Sequence, residues 1–182
     1  VPGSSGRYRF SHDLVRESVL ADLAAGEQAR VHLAVVAALT PSADDPDVVT
    51  ELAHHTLAAL PAGDRRAATE WARRAAQVAH ARLAYDEAAR LLADALAAGR
   101  PALRPAERLA VLLDLARAQG IAHDVAGAIA TSTEAAELAR ATGDPVALAC
   151  AALGLPEVSE AEWLDAVRGW CAEALRGLGE GD

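Results

Sequence analysis

The sequence predicts an all-α fold of stacked antiparallel helical hairpins. Its 182 residues are 52% hydrophobic but only 3% aromatic, so the apolar content is mainly Ala, Leu and Val, which favours packed helices over sheets. The clearest pattern runs from Thr69 to Leu96, where small and apolar residues recur at helical spacing. They are Ala72, Ala75, Ala76 and Ala79, and then Ala88, Leu91, Leu92, Ala95 and Leu96. Such a hairpin cannot cover its own apolar face, so it predicts neighbours of the same kind.

The elements before this hairpin follow from caps and breaks. Residues 7–10 alternate polar and aromatic side chains and predict a short strand, and Ser11 can cap a helix that ends near Leu23. A second helix is predicted from Glu27 to Leu39, and a third from Asp47 to Leu60. The predicted buried residues are Val31, Ala34, Val35, Ala38 and Leu39 in the second helix, and Val49, Leu52, Ala53, Thr56, Leu57 and Leu60 in the third.

Four more helices are predicted after the hairpin. One begins near Pro105, which suits a first helical turn, and stops near Gly120. Its partner runs from about Asp124 to Ala141 and is closed by Gly143 and Pro145. A short helix over 146–153 and a last helix over 160–178 follow. The predicted apolar stripes are Leu109, Leu112, Leu113 and Ala116; then Val125, Ala128, Ile129, Ser132, Ala135, Ala136 and Ala139; and finally Trp163, Val167, Trp170, Cys171, Ala174 and Leu178.

The two central hairpins are similar to each other at a spacing of forty residues. The alignment pairs Ala88 with Ala128, Leu92 with Ser132, and Ala95 with Ala135. The pattern resembles the tetratricopeptide repeat, whose second helix carries Ala, a larger residue four positions on, and Ala three further on. The resemblance covers about 64–153. It implies a tetratricopeptide-like superhelix over 64–182, which we expect to be truncated at its C-terminus.

A second resemblance lies nearer the N-terminus. Residues 8–17, Tyr-Arg-Phe-Ser-His-Asp-Leu-Val-Arg-Glu, are similar to the end of the winged-helix segment in the signal-transducing ATPases with numerous domains, which include the large LuxR-type regulators of actinobacteria. In that family the winged helix is followed by helices similar to residues 29–33 and 51–55, and then by a tetratricopeptide-like array. The resemblance implies a winged-helix remnant over 1–24, a helical connector over 25–63, and the repeats over 64–182. It also implies an upstream ATPase that binds ATP or ADP, and a downstream DNA-binding domain.

His12 is the one nucleotide-linked residue that this resemblance implies, as a contact to the phosphates of bound ADP in the whole protein. An imidazole at a helix N-terminus beside an anion is physically reasonable. Alternatively, His12 is a helix-start histidine positioned by packing. The fragment itself is expected to hold no cofactor, because the ATPase half of the site would lie elsewhere.

Composition and charge exclude several classes of function. A net charge of −9 argues against direct nucleic-acid contact by this fragment. No apolar run approaches the roughly 18–20 residues of a membrane span, so no membrane contact is expected. The absence of Met predicts that Val1 is not a natural start and that the chain is a piece of a longer protein. Cys150 and Cys171 lack metal-site spacing, so free thiols in the cytoplasm are predicted.

No catalytic or metal-ligating constellation is found, so a non-enzymatic protein is predicted. His54 and His55 are adjacent and point about 100° apart on a helix, which does not suit a helical zinc site. His32, His80 and His123 have no convergent partners in the sequence. The three Trp residues, Trp71, Trp163 and Trp170, are interpreted as packing anchors, and the last two lie two turns apart on one face.

Four arginines of the central hairpin are the predicted partner-binding residues. They are Arg73, Arg74, Arg82 and Arg90. Guanidinium groups at the rim of a hairpin suit acidic peptides or the carboxylates of a partner. The alternative is a solvated charged face paired with Glu70, Asp86 and Glu87.

The family resemblance leads to one functional expectation and one alternative. The chain is expected to be the sensor or protein-interaction arm of an ATP-dependent transcriptional regulator, which binds an inducer or partner and couples to the upstream ATPase through residues 24–47. The alternative is a generic peptide-binding or self-association scaffold, with a possible homodimer through the exposed end of the array.

Overall fold

A computed structural model describes residues 22–60, 62–100, 102–154 and 161–179, and all secondary structure in these ranges is helical, as predicted. The helices are α1 Ala25–Leu39, α2 Pro46–Ala58, α3 Arg65–Ala81, α4 Tyr85–Gly99, α5 Pro105–Ile121, α6 Val125–Thr142, α7 Pro145–Leu153 and α8 Ala161–Gly179, with a 3₁₀ turn at Thr40–Ser42. The predicted strand over 7–10, nearly all of the predicted helix from Ser11 to Leu23, and His12 lie outside the described residues.

Helices α3 and α4 form the predicted hairpin. The Asp64 carboxylate accepts hydrogen bonds from the backbone N–H groups of Arg66 at 2.8 Å and Ala67 at 3.4 Å, which caps α3. Every residue predicted to lie on the apolar faces of this hairpin is buried. Because most of these residues are Ala, the two backbones approach closely and pack along their full length.

The hairpin of α5 and α6 repeats the same local geometry forty residues later. The first helix of each pair is followed by a turn residue with a left-handed backbone, Leu83 at φ 61° and His123 at φ 62°. The next N–H group reaches back five residues in both turns, from Ala84 to the Ala79 carbonyl and from Asp124 to the Gln119 carbonyl, each at 2.9 Å. The forty-residue repeat seen in the sequence is therefore present in the backbone.

Each described helix packs chiefly against its neighbours in the chain, and one apolar core continues from Val49 on α2 to Ala174 on α8. At the far end, Trp163 and Trp170 pack edge to face, with ring centroids 5.3 Å apart and planes at 87°. Both indoles are buried, which confirms their interpretation as packing anchors. Among the described residues, no helix has the length and apolar character needed to cross a membrane.

The predicted apolar face of α1 is wrong. Val31 is 43% exposed, Ala34 and Ala38 are also exposed, and Ala29 is the buried residue of this helix. The physical reason is that α1 packs mainly against α2, so one narrow strip of its surface is covered. In α2, Val49, Leu52, Ala53 and Thr56 are buried as predicted. Leu57 is half-buried, and Leu60 is half-buried and lies beyond the end of the helix at Ala58.

Candidate functional site

A groove of about 270 Å³ lies where α3, α4 and α5 meet, and we call it the α3–α5 groove. Its floor is made of small or apolar residues, and its walls carry the polar and charged ones. The floor residues are Ala76, Ala88, Leu92 and Ala118, and the wall residues are Arg73, Gln77, His80, Asp114 and Arg117. Because the floor residues are the same ones that pack the hairpins, the groove follows directly from the repeat.

Arg73 is the predicted arginine that lines this groove. Its Nη2 atom lies 3.1 Å from Oδ2 of Asp114 on α5, and Nη1 lies 4.0 Å from the Glu70 carboxylate. Its Nε atom is shielded from solvent yet has no hydrogen-bond partner among the described residues. A buried donor without an acceptor is unfavourable, so this Nε atom offsets part of the stabilisation from the Arg73 ion pairs.

Arg117 is a groove residue that the sequence analysis missed. It is exposed, lines the groove from α5, and makes no ion pair or hydrogen bond with another described residue. The signal that could have found it is the repeat itself, since Gln77 and Arg117 occupy the same position forty residues apart. Both side chains face the groove.

Arg74 and Arg82 lie away from the α3–α5 groove and contact the segment around α2. The Arg74 guanidinium stacks on Trp71 and donates from Nη2 to the Ala43 carbonyl at 3.0 Å. Nη2 of Arg82 lies 2.7 Å from Oδ1 of Asp47 in the first turn of α2. The structure therefore does not bring the four predicted arginines together.

Arg90 lies beside a second depression of about 340 Å³ between α2 and α4, lined from α2 by residues that include His54. Its guanidinium binds Glu87 at 2.7 Å and Asp94 at 2.8 Å. Hydrogen bonding to Arg90 holds the pKa of Glu87 below its usual value, and the same bond raises the pKa of Arg90. The Arg90 guanidinium is thus already paired with two carboxylates of its own helix.

Three histidines lie close together between α1 and α2. They are His32 on α1 and His54 and His55 on α2, and the sequence pattern had indicated no partner for His32. The Nδ1 atoms of His32 and His55 lie 2.8 Å apart in a hydrogen bond. Ring centroids are 5.0 Å apart for His32 and His55, 5.0 Å for His54 and His55, and 6.1 Å for His32 and His54. Burial, and then the nearby His54, lower the pKa of His32. We call these three residues the imidazole cluster.

The other described histidines and the cysteines lie outside the imidazole cluster, and of these His80 lines the α3–α5 groove. His80 packs edge to face on Tyr85 with centroids 5.2 Å apart, and His123 stands in the left-handed turn. Cys150 and Cys171 are free thiols, as predicted; Cys150 is exposed and Cys171 is half-buried. In the described part of the chain, no set of three or more His, Cys, Asp or Glu side chains is arranged to hold a metal ion.

Comparison of the chain with models of known protein families, with curated proteins and with solved structures gives no match. The function has therefore to be inferred from the residues and geometry of this chain. The α3–α5 groove combines an apolar floor with Arg117, a cationic group that pairs with no other residue in the described part of the chain. It is the candidate binding site.

Proposed function

We propose that this chain is a non-catalytic interaction arm, and that the α3–α5 groove binds a carboxylate-bearing segment of a partner or inducer. The observation that carries the proposal is the exposed Arg117, which has no partner among the described residues and lies on the wall of a groove with an apolar floor. Sites of this kind combine apolar contact area with a few polar groups that fix orientation.

Two features favour an anionic ligand over a neutral one. Asp114 is the single carboxylate on the groove wall, and it is already paired with Arg73 at 3.1 Å. The guanidinium of Arg117 is exposed on the same wall and is left to meet further acceptors. A planar guanidinium suits the two oxygens of a carboxylate, and charge-assisted hydrogen bonds are roughly twice as strong as neutral ones.

The proposal extends to the context that the sequence resemblances imply. The arm is then a tetratricopeptide-like superhelix in a cytoplasmic LuxR-type regulator, and its bound state passes through residues 24–47 to an ATPase that uses ATP. The two hairpins with equal turns forty residues apart support a repeat scaffold. The regulator context is tested by the encoding gene, which should carry a phosphate-binding Gly-rich loop before the codon for Val1. A gene without that loop would overturn this part of the proposal.

Groove binding is tested with fluorescein-labelled eight-residue peptides that carry zero to four carboxylates. We expect affinity to rise with the number of carboxylates and to fall about tenfold in Arg117→Ala, a change of about 1.4 kcal/mol. Arg176→Ala is the matched control, because Arg176 is an exposed arginine on α8 that does not line the groove. Equal losses in the two variants, or no binding of any acidic peptide, would contradict the groove assignment.

A second candidate function is self-association through the end of the array. Large apolar side chains are exposed on α7 and α8, including Leu153 at 68% and Leu175 at 70%. Such a surface suits a second copy of the chain. Light scattering should then give a dimer that becomes a monomer in Leu175→Asp. The control Leu83→Asp changes an equally exposed leucine in the first hairpin turn and should leave the dimer intact. A monomeric native chain rules this candidate out.

A further inference from the structure

The imidazole cluster joins two helices whose mutual contact is small. His32 is on α1, and His54 and His55 are on α2. Ala29 is the buried residue of α1, while Val31 and Leu33 remain 43% and 39% exposed. Little apolar burial therefore holds α1 against α2, and a single polar contact has a correspondingly large influence on whether α1 stays docked.

The hydrogen bond between the two Nδ1 atoms restricts protonation. One nitrogen must donate its N–H group, and the other must present a lone pair. The bond can form when the pair is neutral and when it shares one additional proton. It cannot form when His32 and His55 are both imidazolium, because two N–H groups would then face each other at 2.8 Å.

The titratable and charged groups near the cluster in the described part of the chain lie on α1, α2 and α4. On α2, the ring centroid of His54 lies 6.1 Å from that of His32. From α4, the depression beside His54 presents Glu87, Arg90 and Asp94, in which the arginine already binds both carboxylates. On α1 and α2 the nearest charged residues in sequence are Glu27, Arg30 and Glu51.

His55 has a further interaction besides its hydrogen bond and ring contacts within the imidazole cluster. If His55 is held as a cation by such a contact, protonation of His32 alone completes the dication. If His55 is neutral, the first proton is shared and the second breaks the bond. In both cases the hydrogen bond is lost once both rings are imidazolium, because only one proton can lie between the two Nδ1 atoms.

We infer that the imidazole cluster is a proton-sensitive latch, in which neutral pH docks α1 on α2 and mild acid releases it. The inference is independent of what the α3–α5 groove binds. It gives the segment between residues 25 and 58 two states, docked and released, that differ by bound protons. Since the pKa of His32 is lowered when α1 is docked, docking should weaken as the pH falls below the usual value of 6.5.

Amide hydrogen exchange on the full 182-residue chain tests the latch. Exchange is followed at about pH 7.5 and about pH 5, in the interval where histidines titrate, with rates corrected for the intrinsic effect of pH. We expect protection of α1 to fall about tenfold in acid while protection of α5 is unchanged. In His32→Phe the ring is retained without a titrating nitrogen, so α1 protection should no longer depend on pH. His32→Gln, which also cannot gain a proton in this range, should behave in the same way.

The matched control is His80→Phe, which alters an imidazole that packs on Tyr85 and lies outside the cluster. This variant should keep the native pH dependence of α1. An NMR titration should also place the pKa of His32 below its usual value of 6.5. The latch is overturned if native α1 protection does not change with pH, if α5 loses protection equally, or if His32→Phe keeps the loss.

Discussion

The guanidinium carbon of Arg74 lies 4.4 Å from the centroid of the Trp71 ring, one helical turn away on α3. The same guanidinium donates from Nη2 to the carbonyl of Ala43 at 3.0 Å. Ala43 belongs to the connection between α1 and α2, so one arginine both covers a half-buried indole and fixes the preceding segment on α3. This arginine therefore contributes to the fold through contacts that a solvated rim residue would not make.

Replacing Arg74 by Ala should destabilise the chain by about 1–2 kcal/mol, because a cation–π contact and a charged hydrogen bond are both lost. Arg82→Ala is the comparison, since it removes an ion pair with Asp47 in which the Arg82 side chain is 55% exposed. That variant should change the free energy of unfolding by less than about 1 kcal/mol. Urea titration followed by circular dichroism measures both. The interpretation of Arg74 is wrong if its replacement costs no more than that of Arg82.

Ser132 should be a stabilising site when replaced by Ala. Its hydroxyl is buried on α6, with 1% of the residue exposed, and has no hydrogen-bond partner among the described residues. Removal of an unsatisfied buried hydroxyl is expected to raise the free energy of unfolding by about 1 kcal/mol. Thr56→Val is the control, because the Thr56 hydroxyl donates to the Leu52 carbonyl at 2.7 Å. The control should be neutral or destabilising, and the same sign of change in both variants would count against this account.

The sequence predicted the hairpins well because burial there follows the helical period. Helices α3 to α6 have neighbours on both sides, so the apolar positions in their stripes pack against another helix. Val125 is the exception among the predicted positions, since it lies in the first turn of α6 and is 38% exposed. Pro105 and Gly143 also marked boundaries correctly, the first at the start of α5 and the second in the left-handed conformation after α6. The α1 face was wrong because periodicity shows which side of a helix is apolar, not whether a neighbour covers it.

The candidate sites were harder to predict because they combine residues from different helices. His32 and His55 are 23 positions apart and meet only when α1 packs on α2. The four arginines lie on one hairpin in sequence, yet three of them have their partners on other helices or segments. Arg117 lay outside that hairpin and was found only with the groove. Side-chain partners across helices depend on helix orientation, which a one-dimensional pattern does not contain.

Glu107 should make stability depend on pH in the acid range. Its Oε1 atom accepts from Arg104 at 2.7 Å and from Arg66 at 3.1 Å, and Oε2 accepts from the Arg104 backbone N–H at 2.8 Å. The side-chain and then the backbone hydrogen bond from Arg104 lower the pKa of Glu107 from 4.5 to about 2. Since the folded pKa is depressed, the stabilisation is present above 4.5 and is lost as the pH falls towards 2.

The measurement compares native chain and Glu107→Gln in urea at about pH 7 and about pH 3, on either side of the usual carboxyl pKa. The variant should unfold at lower urea near neutrality, and the difference should narrow in acid because the native carboxylate loses its advantage there. Glu137→Gln is the control, because Glu137 lies on α6 outside this ion-pair network. If the difference in stability between the native chain and Glu107→Gln were the same at both pH values, Glu107 would act through packing rather than charge.

Gly99 should resist replacement even though it lies in a helix, where Ala is normally better by about 1 kcal/mol. It is the last residue of α4 and is buried against α3. A Cβ atom at this position would lie 2.6 Å from the Thr69 hydroxyl and 2.7 Å from Cδ1 of Leu103. That hydroxyl is itself fixed by hydrogen bonds to the Arg65 and Ala95 carbonyls, so it cannot move away freely. We expect Gly99→Ala to destabilise by about 1–2 kcal/mol.

Gly169 supplies the matched case, because it lies within α8 and a Cβ there would meet nothing within 4 Å. Gly169→Ala should therefore stabilise by about 0.5–1 kcal/mol through helix propensity alone. Urea titrations of the whole chain should therefore show a lower free energy of unfolding for Gly99→Ala and a higher one for Gly169→Ala. If both replacements stabilise, α3 and α4 have room to separate at Gly99, and the close approach of these helices does not require glycine.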